Sequence, residues 1–151
     1  TEAGTKESGV VKSSIGIGAL LLDGIGDTIR VSLSADPVEE VYAGHRILRA
    51  LGLESGFADV IACPTCGRCE WDCMALAEKV EKRAFSAKKR CKIAVMGCVV
   101  NGPGEAADAD LGIAGGQGSC LIFRKGVPEQ KVPREDAEQV FLKRVDELLR
   151  S

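Results

Sequence analysis

Apolar residues recur along this chain with two different periods, and the changes of period divide it into elements. Residues 10–22 and 37–51 have helical spacing, and in the second of these Val38, Val41, Tyr42, Leu48 and Leu51 share one face. Asp36 stands where an N-cap is needed, Glu39 completes a capping box and Pro37 suits the first turn. A strand end at residues 1–4 and a strand at 28–33 alternate with these helices. That βαβα order predicts parallel strands with crossover helices, the last portion of a larger α/β body. Gly52-Leu53-Glu54-Ser55-Gly56 reads as a turn or linker, which sets the domains at 1–55 and 56–151. The second block predicts strands at 58–62, 92–96, 110–114 and 120–124, the last continuing past Gly126 towards Val132 as a hairpin. Helices are expected at 72–85 and after Pro133, the latter with Ala137, Val140, Phe141, Val145 and Leu148 on one side. This block is a small α+β sandwich.

Charge narrows the function classes. With 20 basic and 22 acidic residues the net charge is -2, so no global field points to nucleic acid or to an anionic membrane. The longest apolar stretch, residues 15–22, is interrupted by two glycines and falls far short of the ~20 residues a bilayer span needs. Thr1-Glu2-Ala3-Gly4 lacks an initiator Met and the features of a signal peptide, and reads as the interior of a longer, non-secreted protein. Seven cysteines, an odd number, cannot all pair as intramolecular disulfides; a cytosolic metal or redox site explains them better.

All seven lie beyond residue 55. Cys63-Pro64-Thr65-Cys66 follows an apolar strand, so both thiolates project from one tight turn, as iron-sulfur or zinc ligation requires. Cys69 and Cys73 extend it to the C-x2-C-x2-C-x3-C spacing of bacterial ferredoxins, although Met74 stands where that run has proline and a helix is expected from Asp72. On these four thiols the chain is a ferredoxin-like electron carrier or a zinc-stapled interaction domain. A second loop, residues 96–105, follows another apolar strand and is dense in glycine and proline, which lets backbone amides approach a cluster or anion closely. It carries Cys98, Asn101 and Glu105. Taken alone, Cys98 reads equally as a buried structural thiol, and Glu105 as a solvated carboxylate or a cap.

Cys63-Pro64-Thr65-Cys66-Gly67-Arg68, residues 94–105 and the opening Thr1-Glu2-Ala3-Gly4 together resemble the 4-hydroxy-3-methylbut-2-enyl diphosphate synthases. The likeness continues through Val11-Lys12-Ser13-Ser14, residues 24–33 and Asp36-Pro37-Val38-Glu39-Glu40, in order. It implies the last βα units of a TIM barrel followed by an α+β iron-sulfur domain similar to those of nitrite and sulfite reductases. It implies reductive opening and dehydration of 2-C-methyl-D-erythritol 2,4-cyclodiphosphate. A [4Fe-4S] cluster would be held by Cys63, Cys66 and Cys98, with Glu105 as the fourth ligand. A carboxylate holds iron more exchangeably than a thiolate, so that iron can accept a substrate oxygen. Glu2 becomes the acid–base candidate, Arg30 and Ser32 the diphosphate-binding pair. Asn101 would approach the polar end of the substrate. The same resemblance implies flavodoxin or ferredoxin as electron donor, a homodimer, and a cytoplasmic or plastid-stromal location. The part of the barrel that precedes Thr1 in the family implies that this segment alone does not turn over substrate.

Other features carry less. Lys12 and Ser13 start a helix and are weaker phosphate candidates beside a solvated first turn. His45 has no ligand arrangement around it. Lys88, Lys89, Arg90 and Lys92 form a basic run that suits an acidic flavodoxin or ferredoxin, or a solvated face. Gly16-Ile17-Gly18 and Gly24-Ile25-Gly26 complete no dinucleotide fingerprint, so no nucleotide cofactor is expected. The resembled family usually lacks cysteine at positions 69 and 73. Cys91 and Cys120 read as buried thiols.

Overall fold

In a computed structural model, which describes residues 3–69 and 71–151, the elements fall into two units, Thr1–Ser55 and Gly56–Ser151. The second is built on a five-stranded sheet of order β1-β2-β3-β4-β5, with β1 Ala58–Ala62, β2 Cys91–Met96, β3 Leu111–Gly115, β4 Ser119–Arg124 and β5 Val127–Pro133. The first three strands are parallel, with Ala62 opposite Val95 and Ile93 opposite Leu111. β4 and β5 add antiparallel hairpin strands, the second pair shifting register between Ile122 and Phe123.

Strand alternation sorts the side chains into two layers. Cys91, Ile93 and Val95 of β2, Leu111 and Ile113 of β3, and Cys120 and Ile122 of β4 pack in one core with two helices. These are the helix over Cys73–Phe85, contributing Leu76, Ala77, Val80 and Ala84, and the helix over Arg134–Arg150, contributing Ala137, Phe141 and Val145. Ala94, Met96, Ala114 and Phe123 point the other way, into a smaller core with Ala106 and Ala109. The first helix is capped by Asp72, whose carboxylate accepts from the Ala75 N–H at 3.0 Å. Elements here match the periodicity, because each face of the sheet has its own buried set.

One carboxylate ties the β2–β3 crossover. Asp110 accepts the Lys92 backbone N–H at 2.8 Å and pairs with Lys125 at 2.8 Å. The Lys125 hydrogen bond, against burial, holds its carboxyl below the usual range, and Lys92 does the same to Asp108. Carboxylates depressed on folding contribute stability above their unfolded pKa and lose it as pH falls through the folded one. The urea midpoint is therefore expected to drop below about pH 4, and to drop less steeply in Asp110→Asn, with denaturation followed by circular dichroism at several pH values as the check.

The Thr1–Ser55 unit departs from expectation. Its helices, α1 Lys6–Leu22 and α2 Pro37–Ala50, are present, but the strand expected at 28–33 makes no ladder; a single parallel bridge, Thr5 to Ser34, is formed among the described residues. The Leu33 N–H is taken by the Glu40 carboxylate at 2.8 Å and the Ser34 N–H by the Gly4 carbonyl at 2.7 Å. Val31 and Leu33 still alternate inward, meeting Ala43 and Ile47 with Val10, Ile17 and Leu51 around them. The face expected of α2 is not the buried one. Val38, Val41 and Tyr42 are exposed, because the 28–33 segment covers Ala43, Gly44 and Ile47 instead. The capping box is also absent: Asp36 accepts from the Val38 N–H, while Glu39 reaches Lys6 at 2.8 Å.

Candidate metal centre

Parallel pairing of β1 and β2 brings the two cysteine loops to the same end of the sheet. Cys63 directly follows β1 and donates its backbone N–H to the Val95 carbonyl at 2.9 Å, while Cys98 lies just past the end of β2. Between them, Gly97 is the point of closest approach. A Cβ at this position would stand 2.9 Å from Cys69 Sγ, 3.1 Å from Cys69 Cβ and 3.2 Å from Cys63 Sγ, so only glycine leaves room for both thiols.

The Cys63–Cys66 turn is strained. Thr65 has φ +56°, a left-handed conformation that a β-branched residue adopts only when its surroundings impose it. The turn presents Cys66 to solvent and holds Cys63 half-buried against both cores. The Arg68 backbone N–H, seconded by its guanidinium, holds the Cys66 thiol below its ordinary value, and the Glu105 carboxylate acts on it in the opposite sense.

The second loop winds as it leaves β2. The Gly102 N–H donates to the Cys98 carbonyl at 3.0 Å and the Glu105 N–H to the Asn101 carbonyl at 2.8 Å, opening a short helix over Gly102–Glu105. Gly102 lets this turn sit on the sheet: a Cβ there would meet Met96 Cβ at 2.8 Å and Ala114 Cβ at 3.0 Å. Cys98 and Asn101 are half-buried and Glu105 is exposed at the end of the turn.

Cys69 and Cys73 occupy different ground. Their sulfurs are 3.6 Å apart, and the Cys69 thiol lies 3.2 Å from the Trp71 carbonyl. Cys73 is buried in the first turn of its helix, where burial and then Cys69 push its thiol up to about 12. Trp71 closes the same end of the sheet, its Nε1–H donating to the Met96 carbonyl at 3.1 Å and its ring filling the space above Gly115.

Among the described residues, no three His, Cys, Asp or Glu side chains converge as a ready-made metal cage. The donors nevertheless suit iron: three thiols and one carboxylate, on two loops that leave neighbouring parallel strands at one end, around a glycine that admits close approach. Cys91 and Cys120 are buried in the sheet core and belong to no site.

The remaining candidates fall in the other unit or away from the loops. Glu2 lies outside the described residues. Arg30 is exposed and Ser32 half-buried, alternating with buried Val31 and Leu33. Arg30 lines an open hollow of about 320 Å³ with Glu40, Gly44 and His45. His45 itself pairs with Glu54 at 2.7 Å, a structural role. Burial opposes ionisation of Glu54, but hydrogen bonds from His45 and Arg49 outweigh it and hold its carboxyl below the usual range. Lys12 is exposed, while Ser13 is buried with no hydrogen-bond partner for its hydroxyl among the described residues. The basic run precedes and enters β2 at its amino end, so the strand's six residues, roughly 20 Å, separate it from Cys98. Lys92 is engaged by Asp108 and Lys89 by Ser151, which favours the solvated-face reading over a docking role at the loops.

Sequence reasoning missed Gly97 and Trp71. Neither belongs to a motif of its own; only the pairing of β1 with β2 shows what each one touches.

Residues 59–147 match the GcpE protein C-terminal domain and residues 1–45 the GcpE TIM-barrel domain. Similar proteins include 4-hydroxy-3-methylbut-2-en-1-yl diphosphate synthase (flavodoxin) of Clostridium tetani, 56% identical over 145 residues, covering 96% of this chain and 42% of the relative. Those of the same name from Geobacter sulfurreducens and Caldanaerobacter subterraneus are 52% identical over 149 residues and 56% over 150, each covering 99% of this chain and 42% of the relative. The chain thus spans about two fifths of the length of these relatives.

Proposed function

Because this chain belongs to the GcpE protein family, we propose that it is the C-terminal part of an enzyme that reductively opens and dehydrates 2-C-methyl-D-erythritol 2,4-cyclodiphosphate to 4-hydroxy-3-methylbut-2-enyl diphosphate. The observation that carries this reading is the meeting of two cysteine loops at one end of adjacent parallel strands. Cys63, Cys66 and Cys98 supply thiolates to a [4Fe-4S] cluster, and Glu105 supplies the fourth, carboxylate ligand. Bound there, such a cluster supplies electrons singly and a Lewis-acidic iron.

The chain's own residues then have distinct tasks. Glu105, exposed at the end of a short turn, would hold the fourth iron through a carboxylate, a harder and more exchangeable donor than a thiolate. Asn101 starts that turn and caps none of its N–H groups with its side chain, which leaves the amide to hydrogen-bond the polar end of the substrate. Arg30 and Ser32 bind the diphosphate through a guanidinium and a hydroxyl, and Glu2 moves the proton that accompanies loss of water.

The proposed cluster domain, residues 56–151, is of the kind found in nitrite and sulfite reductases, a reading that the mixed five-stranded sheet with its helices supports. Flavodoxin, named in the relatives, is the proposed electron donor, and a cytoplasmic homodimer the proposed assembly. Among the described residues no helix is long and apolar enough to cross a membrane.

Glu105→Ala tests the carboxylate. After anaerobic reconstitution, Mössbauer spectra are expected to show one iron site altered and three retained. Four equivalent thiolate-ligated irons in both proteins would remove Glu105 from the ligand set.

A further inference from the structure

Cys73 is part of the core and Cys69 packs against it, neither belongs to the proposed ligand set, and their sulfurs are in contact at 3.6 Å. A disulfide needs about 2.05 Å, so closure requires a movement of roughly 1.5 Å, well within the reach of a side-chain rotation. The two ends of the pair differ. Cys69 is half-buried on the loop before the helix, reachable from solvent, whereas Cys73 is buried at the helix start with its position fixed by Leu76 and Ala77 in the core behind it.

We infer that Cys69 and Cys73 form a reversible dithiol site for hydroperoxides, with Cys69 as the residue attacked and Cys73 as the resolving residue. The Cys69 sulfur takes the distal oxygen of a hydroperoxide, giving a sulfenic acid and releasing an alcohol, or water when the oxidant is hydrogen peroxide. Cys73 then attacks that sulfur, the S–S bond forms and the hydroxyl leaves as water with the Cys73 proton. Two thiols are oxidised by two electrons and one peroxide bond is reduced. A small-molecule thiol reductant reverses the step by exchange. The inference rests on the proposed ligand set, which includes neither residue. Its structural consequence is local: closing the pair draws the Cys69 sulfur towards Cys73 and away from Gly97 and Cys63, where it now lies.

Peptide mapping tests this. Trypsin cuts after Arg68 and Lys79, so one peptide carries both residues and no other cysteine. The chain is fully reduced, stripped of metal with a chelator, treated with stoichiometric hydrogen peroxide, alkylated and digested. The expected product is this peptide, lighter by two hydrogens and unalkylated, returning to the doubly alkylated form after dithiothreitol. In Cys73→Ser, treated in the presence of dimedone, the same peptide is expected to carry a dimedone adduct at the position of Cys69. Double alkylation of the wild-type peptide after peroxide, or linkage of Cys69 to Cys63, Cys66 or Cys98, overturns the proposal. The wild-type result stands even if the variant does not fold.

Discussion

Cys98→Ala is expected to leave Gly56–Ser151 folded and to abolish its capacity to hold a cluster. The side chain is half-buried and belongs to neither hydrophobic core, so its truncation costs no more than about 1 kcal/mol. Its loss removes the only thiolate that the second loop contributes. Cys63 and Cys66 remain on one turn with a weaker carboxylate opposite, too few soft donors for a four-iron cluster. Iron and sulfide per chain after anaerobic reconstitution should fall from about four each to background, while far-ultraviolet circular dichroism is unchanged. A variant that still holds a full cluster would transfer the missing ligand to Cys69 or Cys73.

Gly97→Ala should damage both stability and assembly. The new methyl would lie 2.9 Å from Cys69 Sγ and 3.2 Å from Cys63 Sγ, and the Cys63 backbone is anchored to Val95, so neither loop can retreat freely. Overpacking of this kind costs about 1–3 kcal/mol, and displacement of the Cys63 thiol should lower cluster yield several-fold. Gly104→Ala provides the contrast. Nothing lies within 4 Å of a Cβ there and the residue is helical, so it should be neutral or stabilising by about 0.5–1 kcal/mol. Urea denaturation of the two variants, with iron counts on each, separates crowding at the loop crossing from a general intolerance of glycine replacement.

Where one face of an element has a single partner layer, the sequence was a good guide. The strand expected at 58–62 is β1, Ala58–Ala62, and the terminal helix buries Ala137, Phe141 and Val145 as its spacing implies. The Thr1–Ser55 unit was harder to read. Val31 and Leu33 alternate as a strand would, yet the Leu33 N–H goes to Glu40 and the Ser34 N–H to Gly4 rather than to a ladder, a choice that depends on tertiary contacts. The apolar face assigned to α2 failed for a related reason: Gly44 and Ala43 form the covered stripe because they are small enough for Ile29 and Val31 to approach, which an apolarity count ignores.

The candidate site was legible as two loops and obscure in its crowding. Cys98 and Glu105 entered through the family resemblance, while motif spacing singled out Cys63, Cys66, Cys69 and Cys73. It gave no sign that Cys69 leans on Gly97, or that Trp71 needs Gly115 empty beneath it. These contacts join residues far apart in sequence, so they become visible only when β1, β2 and β3 are laid side by side.

The most direct measurement is anaerobic reconstitution of the Cys69→Ser/Cys73→Ser double variant beside the unaltered chain, with iron and sulfide counted and visible absorbance recorded. Unchanged content and spectrum are expected if Cys63, Cys66, Cys98 and Glu105 hold the cluster. Loss of the cluster in the double variant would contradict that ligand set and make the chain a four-cysteine, ferredoxin-like carrier.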